Sequence, residues 1–305
     1  MSRKLVIPRK MDILKALNTS PPVPDYVLPG LEVGIVGALI APGGVGKTTL
    51  LLQTAVALAA GLPVFGGLFS AAVGTQAPAK VVLIVAEETV NVMHRRLHAV
   101  IAGLLRQSHQ LMQQEARDRL YASLDANLDL YPLAGATRLL IDGRDTTGDG
   151  LETLRAMSVG ARLLVVDPLR QFHTGDENDS FAMTALVQDL QTIATGQQCA
   201  VLMAHHTTKS STLNGQGDLA GASRGSGALT AGIRMQLNLS TPDDAFGAPY
   251  GLDRDDFPSY VRIDISKANY LPPQPPQLMR RGAGGVFDFI GKPADSSPAK
   301  KRRKA

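Results

Sequence analysis

The sequence predicts an α/β fold in which a mainly parallel, twisted β-sheet lies between layers of helices and continues into an antiparallel extension near the C-terminus. Four short apolar runs without polar alternation are typical of strands buried on both faces: residues 35–40, 81–86, 163–167 and 200–205. Tens of residues separate these runs, which leaves room for the crossover helices that parallel neighbours need. Helical patterns at residues 48–60, 91–105 and 181–196 predict those flanking helices.

The last third of the chain has a different pattern. Three segments alternate or carry β-branched and aromatic residues: 235–239, 260–266 and 286–290. Turn-rich segments containing D-D and P-P-Q-P-P separate them, so we expect an antiparallel meander that closes the domain. Residues 206–227 are instead rich in Ser, Thr and Gly, which predicts a long loop of the kind that is usually functional or disordered.

Composition narrows the class of protein. A hydrophobic content of 44% supplies one large core and excludes a wholly disordered chain. The apolar runs are far shorter than the roughly 18 residues that a membrane span needs, and the basic first residues lack the apolar segment of a secretory signal. We therefore expect a cytoplasmic protein with no membrane partner. Cys199 is the single cysteine, which excludes an internal disulfide and a cysteine-based zinc site.

Net charge favours a polyanionic partner only weakly. The formal charge is +4 and the isoelectric point is near 9.2, and basic surfaces attract phosphate backbones. Much of the excess lies in residues 300–304, K-K-R-R-K, which follow a Pro/Ser stretch and are typical of a disordered end. A solubilising tail therefore remains as good an interpretation as nucleic-acid binding.

A glycine-rich loop follows the first predicted strand. Residues 41–48 read A-P-G-G-V-G-K-T, which has the spacing of a P-loop, although Ala41 stands where the first glycine is usual. Glycines let successive N–H groups point at phosphates, Lys47 reaches the β- and γ-phosphates, and Thr48 ligates Mg²⁺. The loop therefore predicts a site for ATP and Mg²⁺, with nucleotide contacts from Pro42, Gly43, Gly44, Val45, Gly46, Lys47, Thr48 and Thr49.

Acidic residues follow the next two predicted strands. Glu87 and Glu88 come after the second, and one of them could orient and deprotonate water. We favour Glu87 because the residue after it should already turn into the helix, although an exposed acidic pair at a helix start is the alternative. Asp167 ends the third strand after an apolar run, the pattern of a carboxylate that holds Mg²⁺ opposite Thr48.

Two histidines end the fourth predicted strand. His205 and His206 have no spacing to other ligands that suits zinc. An imidazole at this edge could hydrogen-bond the γ-phosphate and report its loss to the loop that follows. We favour His205 as this sensor, while a packed structural histidine remains the alternative for each.

The chain resembles RecA-like ATPases in the order of four features: the P-loop, the acidic residue after the second strand, the aspartate at the end of the third and the polar sensor at the end of the fourth. Five segments are also similar to the RepA-type hexameric helicases of broad-host-range plasmids: P-P-V-P-D-Y-V-L-P, H-R-R-L-H-A, V-V-D-P-L-R-Q-F-H, A-S-R-G-S and I-S-K-A-N-Y. The similarity extends over about residues 11–286. We divide the chain accordingly into an N-terminal arm (1–30), a RecA-like ATPase and helicase domain (31–291) and a disordered basic tail (292–305).

The resemblance implies the roles given above for Lys47, Thr48, Glu87, Asp167 and His205. It also implies that Arg234 is an arginine finger that reaches the ATP of a neighbouring subunit, with Lys267 as the second candidate. It further implies a homohexamer that moves 5′ to 3′ on single-stranded DNA and works with separate primase and origin-binding initiator proteins.

The loops after the third and fourth strands would then line a central channel for DNA. Lys209 and Arg224 are the candidate phosphate contacts, and the scarcity of aromatic residues argues against extensive base stacking. Two other interpretations stay open. One is a RecA-like filament that binds or pairs DNA strands without unwinding them, and the other is a regulatory ATPase that does not act on DNA.

Overall fold

The computed structural model describes residues 10–69, 77–108, 111, 113–135, 150–206 and 227–291. Its helices are α1 (Ile13–Leu17), α2 (Lys47–Ala60), α3 (Val90–Gln107), α4 (Gln114–Asn127), α5 (Gly150–Met157), α6 (Ser180–Gln197), α7 (Gly227–Gly232) and α8 (Asp244–Gly247). Its strands are β1 (Tyr26–Leu28), β2 (Leu31–Glu32), β3 (Val36–Ala41), β4 (Val81–Val85), β5 (Leu128–Pro132), β6 (Leu163–Asp167), β7 (Ala200–His206), β8 (Met235–Ser240), β9 (Tyr260–Ala268), β10 (Gln277–Arg281) and β11 (Phe287–Gly291). In these described ranges, no helix has both the length and the hydropathy to cross a membrane.

The main sheet has nine strands in the order β11-β10-β9-β8-β3-β7-β6-β4-β5. The strands from β8 to β5 along this order run parallel, as the buried apolar runs predict. From β8 outward to β11 each pair is antiparallel. The predicted fold class is therefore confirmed, including the antiparallel extension.

Both faces of the sheet are covered, which explains why its central strands are apolar throughout. Successive residues of a strand point to opposite faces, so Leu39 packs with α2 while Val36, Ala38 and Ile40 pack toward α6. All of β3 is buried. The sheet therefore holds the loop after β3 on a rigid support.

Two strands of the main sheet were not predicted from apolar runs. β5 (L-D-L-Y-P) is at the edge of the sheet and all its residues are half-buried, so it never needed a continuous apolar run. β10 (Q-L-M-R-R) buries only its first three residues and ends in two arginines. Strands with one partly solvated side are hard to recognise by apolar content alone.

The parallel register brings the ends of four strands to one edge. Ala41 at the end of β3 is level with His206 of β7, and Val85 at the end of β4 is level with Asp167 of β6. The carboxyl ends of parallel strands form the edge at which α/β proteins assemble their sites. The sequence-predicted P-loop, acids and histidines therefore meet there.

Candidate nucleotide-binding site

A cleft of ≈ 460 Å³ opens at this edge of the sheet. Polar and charged side chains together with loop glycines line it: Gly44, Gly46, Lys47, Thr48, Thr49, Glu87, Glu88, Arg96, Asp167, Pro168, His206, Arg281, Gly284 and Gly285. The cleft thus gathers residues from the P-loop, from three further strand ends and from the hairpin between β10 and β11.

The P-loop requires glycine at two positions. Gly44 and Gly46 have φ values of 76° and 107°, in the left-handed region that L side chains rarely adopt. A Cβ at Gly46 would also lie 2.7 Å from Cζ of Phe287. Ala41 is different, because it is the last residue of β3 and is paired as a strand residue, so its departure from the usual glycine is tolerated.

Helix α2 begins at Lys47 with Gly46 as its N-cap, and no side chain caps its first N–H groups. Uncapped N–H groups at a helix start form an anion-binding site. This geometry suits a phosphate group held between the loop and the helix.

Lys47 is buried although it is charged, with 7% of its surface exposed. Its Nζ lies 3.2 Å from Nδ1 of His206 and donates over 3.4 Å to the carbonyl oxygen of Ala41. Burial lowers the pKa of this ammonium group, and the negative charges of Asp167 and Glu87 oppose that shift. An incoming phosphate would stabilise the ammonium further.

Thr48 and Asp167 face each other across the cleft. The Thr48 hydroxyl donates a hydrogen bond of 2.6 Å to Oδ2 of Asp167. Burial raises the pKa of Asp167, whereas the Thr48 hydroxyl and Lys47 lower it. A hydroxyl and a carboxylate are the oxygen donors that Mg²⁺ shares with nucleotide phosphates, so these residues fit the ion that the P-loop implies.

The two glutamates have different partners. Glu88 Oε1 accepts a hydrogen bond of 2.5 Å from Arg96, whose guanidinium also donates to Oγ1 of Thr49 over 3.4 Å. Glu87 Oε1 instead accepts from the neutral amide of Gln171, at 3.0 Å. The charge of Glu88 is thus balanced by an arginine, while Glu87 is positioned by an uncharged group beside the cleft.

The two histidines lie on opposite faces of β7. His206 lines the cleft and contacts Lys47. His205 is 1% exposed, and its Nδ1 lies 3.9 Å from Oε1 of Glu177 in the segment after β6. The structure therefore brings His206, and not the favoured His205, to the phosphate side of the cleft.

A family model described as an AAA domain, AAA_25, matches residues 4–212, which is more than half of the chain. The chain belongs to this AAA family. Its site geometry is that of a nucleotide-binding P-loop ATPase, and its fold is RecA-like.

Solved structures agree with this AAA fold. One of them, described as an ATPase domain, matches with a TM-score of 0.52 at 14% identity, over 85% of this chain and 84% of that one. A DnaB-like replicative helicase, solved to show its interactions with primase, matches with a TM-score of 0.55 at 14% identity. That match covers 87% of this chain but 62% of the helicase chain, so the AAA protein spans less than two thirds of its relative's length.

Arg234 and Lys267 are outside the cleft of this AAA domain. The Arg234 N–H donates to the carbonyl oxygen of Val36, at the start of β3, whereas the P-loop follows the end of that strand. The length of β3 separates the two levels by about 16 Å. Lys267 pairs with Gln236 near the same end, and its Nζ donates to the carbonyl oxygen of Thr230 at 2.6 Å. Neither cation can reach the phosphates of its own subunit.

Lys209 and Arg224 lie in residues 207–226, outside the described residues, as does the tail at 292–305. The structure also adds residues that the sequence did not predict, chiefly Arg96 and Arg281 in the cleft and Gln171 beside it. Arg96 and Gln171 lie within H-R-R-L-H-A and V-V-D-P-L-R-Q-F-H, two of the segments that resemble the plasmid helicases. Arg281 gave no signal, because only the folded sheet brings β10 to the P-loop.

Proposed function

We propose that this AAA-family ATPase is a ring-forming replicative DNA helicase of the RepA type found on broad-host-range plasmids. It couples ATP hydrolysis to movement along single-stranded DNA and to unwinding of the duplex. One observation carries the proposal: the nucleotide cleft is at one edge of the sheet, and exposed Arg234 is at the other. In this proposal Arg234 acts in the cleft of a neighbouring copy, which makes hydrolysis depend on assembly.

Within one subunit, different side chains would bind the phosphates, hold Mg²⁺ and activate water. Lys47 and the N–H groups at the start of α2 bind the β- and γ-phosphates, and Thr48 and Asp167 would hold Mg²⁺. The ion neutralises charge that develops on the transferred phosphoryl group. Glu87, held by Gln171, orients water and accepts its proton.

Between subunits, Arg234 completes the site. Its guanidinium would enter the cleft of the neighbouring copy and stabilise the transition state for phosphoryl transfer. Lys267 is the less favoured candidate because its amino group already donates to Thr230. Six copies in a closed ring would place every cleft beside one such arginine.

His206 would link the phosphates to residues 207–226, the segment for which the sequence predicts a DNA-binding loop. It contacts Lys47 and directly precedes residues 207–226, which carry Lys209 and Arg224. We assign the γ-phosphate sensor to His206 rather than His205, since a side chain in the cleft can respond to phosphate loss directly. His205 would then transmit the change through its contact with Glu177.

The partners follow from the same proposal. The matched DnaB-like helicase structure describes interactions with primase, and we extend this association to a separate primase and an origin-binding initiator. Movement is 5′ to 3′. The arm at residues 1–30 and the basic tail at 292–305 flank the motor domain in sequence, although Val27 and Leu28 of the arm are buried in its core.

Native mass measurement with a non-hydrolysable ATP analogue and an oligonucleotide, followed by strand displacement on the same sample, tests this function. We expect a closed ring that separates strands, with Lys47→Ala rings that keep their fold but lose most hydrolysis and all unwinding. Filaments without strand displacement would favour the strand-pairing alternative. Hydrolysis that no DNA stimulates would favour a regulatory ATPase.

Neutralising Lys209 and Arg224, the candidate phosphate contacts, should weaken DNA binding for all sequences. We expect Lys209→Ala with Arg224→Ala to retain basal ATPase activity and to flatten the log-log salt dependence by roughly 0.7 for each lost phosphate contact. Titration of labelled oligonucleotides at several salt concentrations measures both effects. The matched control neutralises residues 300–304, and a larger loss in that control would assign DNA binding to the tail.

A further inference from the structure

The hairpin formed by β10 and β11 is hydrogen-bonded to α2, the helix that follows the P-loop. The Gln53 side chain accepts from the Phe287 N–H at 2.8 Å and donates to the Phe287 carbonyl oxygen at 3.0 Å. At the tip of the hairpin, Gly284 approaches α3, where an added Cβ would lie 2.8 Å from Cβ of Ala99. These contacts fix the hairpin as a wall of the nucleotide cleft.

Arg281 projects from this wall toward the P-loop. Its guanidinium is 5.7 Å from the centre of the Phe287 ring, and the same ring packs on Gly46. The Arg281 Nη1 atom lies 3.4 Å from the position that a Cβ of Gly46 would occupy. The arginine therefore lies beside the loop, just before the first turn of α2.

Arg281 differs from the adjacent Arg280 in its ion pairing. Arg280 points away from the cleft and forms an ion pair of 3.0 Å with Asp288. Arg281 forms no ion pair with any carboxylate in the described part of the chain. Burial lowers the pKa of its guanidinium, so an anion delivered to the cleft would compensate a partly desolvated charge.

Sheet order shows which end of a nucleotide Arg281 would meet. Glu87 follows β4, and Asp167 and His206 end β6 and β7, all on one side of β3. The hairpin that carries Arg281 belongs to the other side of β3, beyond β8 and β9. Since the γ-phosphate must face the acids and the histidine, the nucleoside end extends toward the hairpin.

We propose that Arg281 is a nucleotide-binding residue that acts within its own subunit and contacts the phosphate next to the nucleoside. A guanidinium suits this role because its planar donors match phosphate oxygens. The inference rests on the ATP-binding part of the proposed function. It gives two arginines different roles, since Arg281 would hold ATP and ADP alike, whereas Arg234 would act only during hydrolysis in a neighbour.

Calorimetric titration of ADP and of a non-hydrolysable ATP analogue tests this division. We expect Arg281→Ala to weaken both ligands equally, on the order of tenfold or more, as loss of a charge-assisted hydrogen bond predicts. Arg281→Lys should recover part of the loss, because it keeps a point charge. Arg280→Ala is the matched control and should bind like the unmodified protein, and thermal unfolding without ligand should be the same for all four.

Displacement by inorganic tripolyphosphate separates a phosphate contact from stacking on the base. A tripolyphosphate affinity that Arg281→Ala also lowers supports the proposal, and an unchanged one overturns it. If Arg281→Ala loses affinity for the ATP analogue but keeps full affinity for ADP, Arg281 contacts the γ-phosphate, and this result would also overturn the proposal. If the unmodified protein binds neither nucleotide, the ATP site itself fails. If the unmodified protein and Arg281→Ala bind both nucleotides equally well, the proposed role of Arg281 is refuted while the ATP site stands.

Discussion

Glu87→Gln will bind ATP as the unmodified protein does and will hydrolyse it at least about a hundredfold more slowly, the scale of a lost general base. The amide keeps the size of the side chain and its contact with Gln171, but it cannot accept a proton. A single-turnover measurement of phosphate release, paired with an equilibrium titration of nucleotide, distinguishes the two effects.

Glu88→Gln is the matched control for that experiment, since it changes the adjacent residue in the same way. Its carboxylate is held by Arg96, which leaves it poorly placed to accept a proton from water. We expect only a mild reduction in hydrolysis. A severe defect in Glu88→Gln with near-normal turnover in Glu87→Gln would transfer the catalytic role to Glu88.

Arg234→Ala will assemble and bind nucleotide but will lose hydrolysis by on the order of a thousandfold, the lower range for arginine fingers supplied by a neighbour. Assembly and binding survive because Arg234 is exposed and about 16 Å along the sheet from its own P-loop. Steady-state phosphate release at saturating ATP, with native mass measurement on the same sample, reports both properties.

Mixing decides whether the arginine acts between subunits. Rings that combine Arg234→Ala with Lys47→Ala will contain interfaces with an intact P-loop from the first variant and an intact Arg234 from the second. These mixed rings should regain ATPase activity that neither parent has. If confirmed subunit exchange restores nothing, Arg234 is not a finger in trans, and Lys267→Ala should take its place in the same mixture.

Local sequence was sufficient to predict the parts of the site that belong to one strand end each. The P-loop, Asp167 and the glutamates follow apolar runs, and a run of buried residues fixes where its strand ends. Parity was harder. His205 and His206 are adjacent, and a shift of one residue exchanges the faces of a strand, so only the register of β7 against β3 distinguishes them.

Side-chain contacts between different elements could not be predicted in this way. Gln171 reaches Glu87 from the turn after β6, and Arg96 reaches Glu88 from the second turn of α3. Arg281 depends on a nine-stranded order that places the hairpin beyond β9 and still folds it against α2. The proximity of Arg281 to the P-loop is a property of the assembled sheet and leaves no trace in spacing along the chain.

The hairpin wall has a consequence for how the protein is made. Gln53 and Phe287, the residues that fasten the wall to α2, are 234 positions apart. At ordinary translation speeds, the ribosome needs roughly ten to fifty seconds to add that many residues. Throughout this interval the P-loop has been synthesised, while the hairpin that forms the opposite side of its cleft does not yet exist. The contacts that the hairpin makes with the P-loop, through Phe287 and Arg281, can therefore form only after β10 and β11 leave the exit tunnel.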